Sequence, residues 1–193
     1  MITSNYTSMV VAVLLFMATP VISQVTNFST EGNLQPRYDP PCLTLDEVQN
    51  DYSPADLAVS LRKCFAGGDD VKAAELLILL QLRGELDRKR VKDETAHGAY
   101  QVLSQNVAGE FPDEWRARMA SAFESFGDTG SPKHDAFCTL MRKWGPPAHS
   151  PDYMIQHGLG AFRDTTEGNG LVEGFNPDAA WNGLLSGYIK CSG

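Results

Sequence analysis

Apolar residues recur at helical spacing through most of the chain beyond its first forty residues, and no comparable stretch alternates at period two. Leu57, Leu61, Cys64 and Phe65 share one face of a helix expected over 54–65, which Gly67 and Gly68 end. The run DVKAAELLILLQLR over 70–83 is apolar around most of its circumference, so it predicts a central, buried helix, with Gly84 as its stop. A third helix is expected over 94–107, with Ala96, Ala99, Tyr100, Leu103 and Val107 inward and Gly109 closing it. A fourth begins at Pro112 or Asp113 and turns Trp115, Met119, Ala122, Phe123 and Phe126 inward. Three more are expected over 132–144, 151–162 and 177–190. Ser53-Pro54, Ser131-Pro132, Ser150-Pro151 and Asn176-Pro177 punctuate this series. In each, a side-chain oxygen can accept from an orphan backbone N–H while Pro at the first helical position gives up no needed donor. The first two helices look locally like one unit of a helical repeat, but no matching pair recurs at about 34 residues. The pattern therefore predicts an all-α fold, an irregular single-domain bundle of about six or seven helices.

The ends of the chain change this picture. Residues 9–18, MVVAVLLFMA, form an unbroken apolar run within an uncharged stretch, and Val21-Ile22-Ser23 supplies a small-residue cleavage site. A run of that length suits a secretory signal peptide over 1–23; a membrane-spanning helix needs roughly 20 apolar residues. The departure from the pattern is that no Lys or Arg precedes the run. Residues 24–41 are polar and end in a Pro pair, which predicts a flexible tether ahead of a helical domain over 42–193. The expectation is an exported chain, periplasmic in a bacterium, with no membrane insertion once the signal is removed.

Four cysteines, Cys42, Cys64, Cys138 and Cys191, follow the expected cleavage site. An even count in an exported chain implies disulfides, with three possible connectivities. Cys42 with Cys64 and Cys138 with Cys191 is favoured, because each bond would pin a chain terminus onto a helix. A zinc site is the weaker reading, since no C-x-x-C pair exists. With 24 acidic against 16 basic residues the net charge is −8, which argues against nucleic acid or anionic lipid as a partner and permits a basic protein.

No recognised catalytic or phosphate-binding motif occurs. None of His97, His134, His149 and His157 pairs with another at one-turn spacing, and Glu110, Asp113 and Glu114, like Asp69 and Asp70, sit at expected helix starts, where acids complement the helix dipole. No catalytic residue, metal site or cofactor is assigned. More informative is WGPPAHSPDYMIQHGLGAF, residues 144–162, whose Gly158 and Gly160 would let a neighbouring segment approach closely, followed by the polar, Gly-rich stretch 164–174. Asp152, Tyr153, Asp164, Glu167 and Glu173 are the candidate binding residues of this region.

The tract WGPP...SPDYMIQHGLGAF followed by LVEGFNPDAAWNGLLSGYIKC, with YSPADLAVSLRKCFAGGDDVKAAEL upstream, resembles small exported helical proteins of Gram-negative bacteria, most of them uncharacterised. Some proteins that look like these are thought to act in the periplasm as immunity proteins against effectors of a type VI secretion system. The resemblance implies a binding module that sequesters or inhibits a protein partner, a toxin effector such as a phospholipase, and it assigns no residue a role. A cell-envelope hydrolase and a structural envelope component are the alternatives.

Overall fold

Residues 29–163 and 169–192 are described by a computed structural model. The expected signal peptide, the first five residues of the expected tether, and Asp164 and Glu167 lie outside the described residues.

Among the described residues, seven helices form an irregular all-α bundle: α1 Pro54–Ala66, α2 Asp70–Arg90, α3 Ala99–Gly109, α4 Trp115–Phe126, α5 Pro132–Trp144, α6 Asp152–Ile155 and α7 Pro177–Gly187. Ser53, Ser131 and Asn176 cap α1, α5 and α7, each side-chain oxygen accepting from the backbone N–H three residues on. At Ser150 the hydroxyl instead donates to Asp152, and α6 begins without a side-chain cap. Among the described residues the only β pairing is an isolated antiparallel bridge between Val91 and Leu171.

Helix α2 is the axis. Leu76, Leu79, Leu80 and Leu82 are fully buried, each such side chain stabilising the fold by roughly 1.5–3 kcal/mol relative to exposure, and α1, α3, α4 and α7 all pack on α2. Gly84 does not end this helix, which continues through GELDRKR to Arg90. Glu, Leu, Arg and Lys after the glycine are good helix formers, and the missing side chain makes room for Tyr100 of α3. A Cβ at Gly84 would fall 2.3 Å from Tyr100 Cγ and 2.5 Å from its Cβ, atoms too near the α3 backbone for a rotamer change to clear. Gly84→Ala is therefore expected to destabilise the fold by about 1–3 kcal/mol through overpacking, despite the gain of about 1 kcal/mol in helix propensity. A lowered urea midpoint with unchanged slope is the readout.

Three further expectations are corrected. Residues 94–107 form a short 3-10 turn, Glu94–Ala96, and then α3, separated at His97 and Gly98. Phe123, expected inward on α4, is 38% exposed, while Met119, Ala122 and Phe126 carry the buried face. Residues 151–162 are two short elements, α6 and a 3-10 turn at Leu159–Phe162, because the chain turns at Gly158 to meet Asp93.

The disulfides pair Cys42 with Cys64 and Cys138 with Cys191. The first joins the N-terminal segment to α1, the second the C-terminal tail to α5. Residues 29–41 lie strapped along the bundle. Asp56, fully buried, accepts from the backbone N–H groups of Arg37, Tyr38 and Ser53 at 2.7–2.8 Å. Leu34 N–H donates to Tyr153 O at 3.1 Å.

Candidate functional site

The segment 90–95, leaving the end of α2, holds two other stretches of chain. On one side Lys92 N–H donates to Gly170 O at 2.9 Å and Val172 N–H to Arg90 O at 2.8 Å, forming the isolated bridge. On the other, Asp93 accepts from Gly160 N–H at 2.7 Å and Thr95 Oγ1 from Leu159 N–H at 2.8 Å. Asp93 also takes the Thr95 hydroxyl at 2.6 Å. These bonds to its charged form hold the Asp93 carboxyl below its usual range although burial acts the other way. The glycines permit this approach: a Cβ at position 158 or 160 would stand 2.3 or 2.8 Å from Asp93 Oδ2.

The turn so fastened presents Leu159 and Phe162 to solvent, 59% and 48% exposed, and Val172 beyond the bridge is 41% exposed. Beside the bridge runs an open groove of about 600 Å³ lined by Arg90, Lys92, Leu171, Val172, Glu173 and Phe175. Asp152 and Glu173 are exposed. Tyr153 is not available to a partner on this face: it is 2% exposed, and its hydroxyl donates to Asp87 at 2.9 Å.

Asp87 centres a buried polar cluster. Its carboxylate is fully enclosed and accepts from Tyr153, from His149 Nε2 at 2.9 Å and from Arg90 Nε at 2.8 Å. Burial alone would push the carboxyl up, but His149, Arg90 and Tyr153 together hold it below its ordinary value. His149, 2% exposed, is held down by burial against the pull of Asp87, which its Nε2 faces. Its Nδ1 and the Nε of Arg83 meet no hydrogen-bond partner in the protein. Arg83, also buried, reaches the carbonyls of Gln49 and Tyr52 through Nη1, and burial lowers its guanidinium to about 10. An imidazole with a carboxylate on one nitrogen has the orientation of a general base. Here the ring is sealed from solvent, and no hydroxyl or thiol is bonded to its other nitrogen.

The other three histidines, and Asp69, Asp70, Glu110 and Glu114 among the acids, meet partners within the bundle. His97 Nε2 meets Val91 O and His157 Nδ1 meets Asn33 Oδ1, both at 2.9 Å. His134 Nε2 lies 2.9 Å from Ile189 O. Arg118 pairs with Asp70 and Glu114 and lies 3.9 Å from the centre of the Phe65 ring. Glu110 faces Arg62 at 3.7 Å, and Asp69 pairs with Lys72. Arg83, Asp87 and Arg90, which sequence inspection passed over, carried one signal: charges at i, i+4 and i+7, on one face once the central helix runs on past Gly84.

No family model, curated protein or solved structure matches the chain. Among the described residues, no helix is long and apolar enough to cross a membrane.

Proposed function

We propose that the chain is an exported binding module that sequesters a protein partner in the periplasm, most concretely an antibacterial toxin effector with a basic surface, such as a phospholipase. The observation that carries this reading is the turn at Leu159–Phe162. Two large apolar side chains stand exposed on a loop whose backbone is fastened to Asp93 and Thr95. A preorganised apolar anchor with a polar rim is what a binding hot spot requires, since little conformational entropy is lost on docking. The exposed acids Asp152 and Glu173 and the net charge of −8 favour encounter with a basic partner. Export directed by residues 1–23 belongs to the same reading.

Affinity capture from the source organism with the oxidised protein is the test. One dominant toxin-like or lipolytic protein, displaced by untagged bait, is the expected result; an empty capture at micromolar bait overturns it. With that partner in hand, Leu159→Ala with Phe162→Ala is expected to weaken binding roughly 30-fold or more, the effect of losing a hot spot of about 2 kcal/mol. Asp152→Lys with Glu173→Lys should mainly slow association and flatten its salt dependence. Unchanged affinity in both variants would move the interface elsewhere.

A further inference from the structure

Outside the face just described, one cluster brings three metal-ligating side chains together. His134 and Cys138 lie one turn apart on α5 and point inward, 5% and 2% exposed, and Cys191, also 5% exposed, meets them from the C-terminal tail. One ligand atom from each lies within 4.8 Å of the others, and no other such group occurs among the described residues. In the oxidised protein the two sulfurs are bonded to each other. The geometry points to a second state of this cluster: when the Cys138–Cys191 disulfide is reduced, the two thiolates and His134 form a zinc site.

The hydrogen bonds of the imidazole set a tautomer that suits it. Nε2 lies 2.9 Å from Ile189 O, and Gly130 N–H points at Nδ1 from 3.2 Å, which places the proton on Nε2 and the lone pair on Nδ1. Cys138 Sγ stands 3.9 Å from Nδ1 and 3.8 Å from Nε2, so the thiolate released from the disulfide must turn about its Cα–Cβ bond to meet a metal on Nδ1, with Zn–S of about 2.3 Å and Zn–N of about 2.0 Å. The Nε2–H bond to a backbone carbonyl is the outer-shell contact that ligating histidines characteristically keep. Gly130, whose weak bond to Nδ1 the metal would replace, is an exposed loop residue free to turn to water. Two thiolates on a divalent cation make a neutral unit, which suits a buried position where a net charge would be costly. The half-exposed Asp135 beside Nδ1 marks the side from which water would complete the coordination.

The step balances. A dithiol reductant passes two electrons and two protons to the cystine and closes to its own cyclic disulfide. Zn²⁺ then displaces the two thiol protons to solvent and takes the Nδ1 lone pair. In the nascent chain, where the thiols are still reduced, no reductant is needed. The bound metal would hold the C-terminal tail on α5 until Cys138 and Cys191 are oxidised to each other.

The experiment uses the full chain, reduced with a dithiol and desalted without oxygen, then titrated with Zn²⁺ against a chromophoric chelator. One tightly bound equivalent is expected. His134→Gln should weaken it by at least about tenfold, the lower end of what even outer-shell partners cost, whereas Cys42→Ser with Cys64→Ser should leave it unchanged. Co²⁺ in the wild-type protein should give the intense visible bands of a tetrahedral ion with two thiolates, a readout that does not depend on any variant folding. Absence of a tight equivalent, an octahedral cobalt spectrum, or binding lost with Cys42 and Cys64 would overturn the assignment.

Discussion

Asp87→Ala is expected to destabilise the fold by about 3–5 kcal/mol at neutral pH, the cost of removing one member of a buried, hydrogen-bonded ionic cluster. The substitution deletes the acceptor for Tyr153, His149 and Arg90 at once. It leaves Arg83 and Arg90 at one end of α2 with no carboxylate to balance them, and it uncouples α2 from α6 and from residues 149–153. Urea unfolding by circular dichroism measures the loss.

The same cluster predicts the acid response. His149 is held below its ordinary value of 6.5 in the folded protein, so its contribution is fully present above pH 6.5 and is lost as the pH falls through the lower folded value. Asp87 is held below its ordinary 3.8, so its contribution is present above that pH and is lost below it. Both act in one direction. Stability should fall from pH 6.5 downward in wild type, and the part due to Asp87 should vanish in Asp87→Ala. A wild-type midpoint flat from pH 7 to pH 3 would sink this account.

Replacing Cys138 and Cys191 together by Ser is expected to cost about 4 kcal/mol, against about 3.5 kcal/mol for the Cys42 and Cys64 pair, on the loop entropy each bond removes from the unfolded chain. The difference follows from sequence separations of 53 and 22 residues. The longer bond has a second consequence. It fixes the tail after α7, where Ile189 O meets His134 and Ser192 O accepts from Arg142. Hydrogen exchange in the doubly substituted protein should therefore show lost protection first in the tail and at the end of α7. Thermal unfolding of the two double variants side by side gives the ordering; an equal or reversed ordering would mean native-state effects outweigh chain entropy.

Much of the architecture was legible because it is local. The caps at Ser53, Ser131 and Asn176 need only a few consecutive residues, and the inward faces of α1 and α3 follow from spacing alone. Of the three pairings the sequence allows, the favoured one, in which each bond pins a chain end onto a helix, is the one found. The failures share a different cause. Gly84 reads as a helix stop until Tyr100 is known to occupy the space above it. Tyr153 reads as a surface aromatic until Asp87, 66 residues away, is known to receive its hydroxyl. Residues 151–162 read as one helix until Asp93 captures Gly160. Each error depends on a partner distant in the chain, which no local pattern encodes. The exposed Leu159 and Phe162 belong to this class as well, since their setting is fixed by residues more than sixty positions earlier.

The pairing of the cysteines in consecutive order bears on how the protein reaches its native state. In a chain exported as proposed, delivery from the N-terminus presents Cys42 and Cys64 well before Cys138 emerges. The first pair can close while no competing thiol exists, and once it has closed, only the native partner remains for each of the other two. Correct oxidation is then set by the order of arrival, and a disulfide isomerase has little to repair.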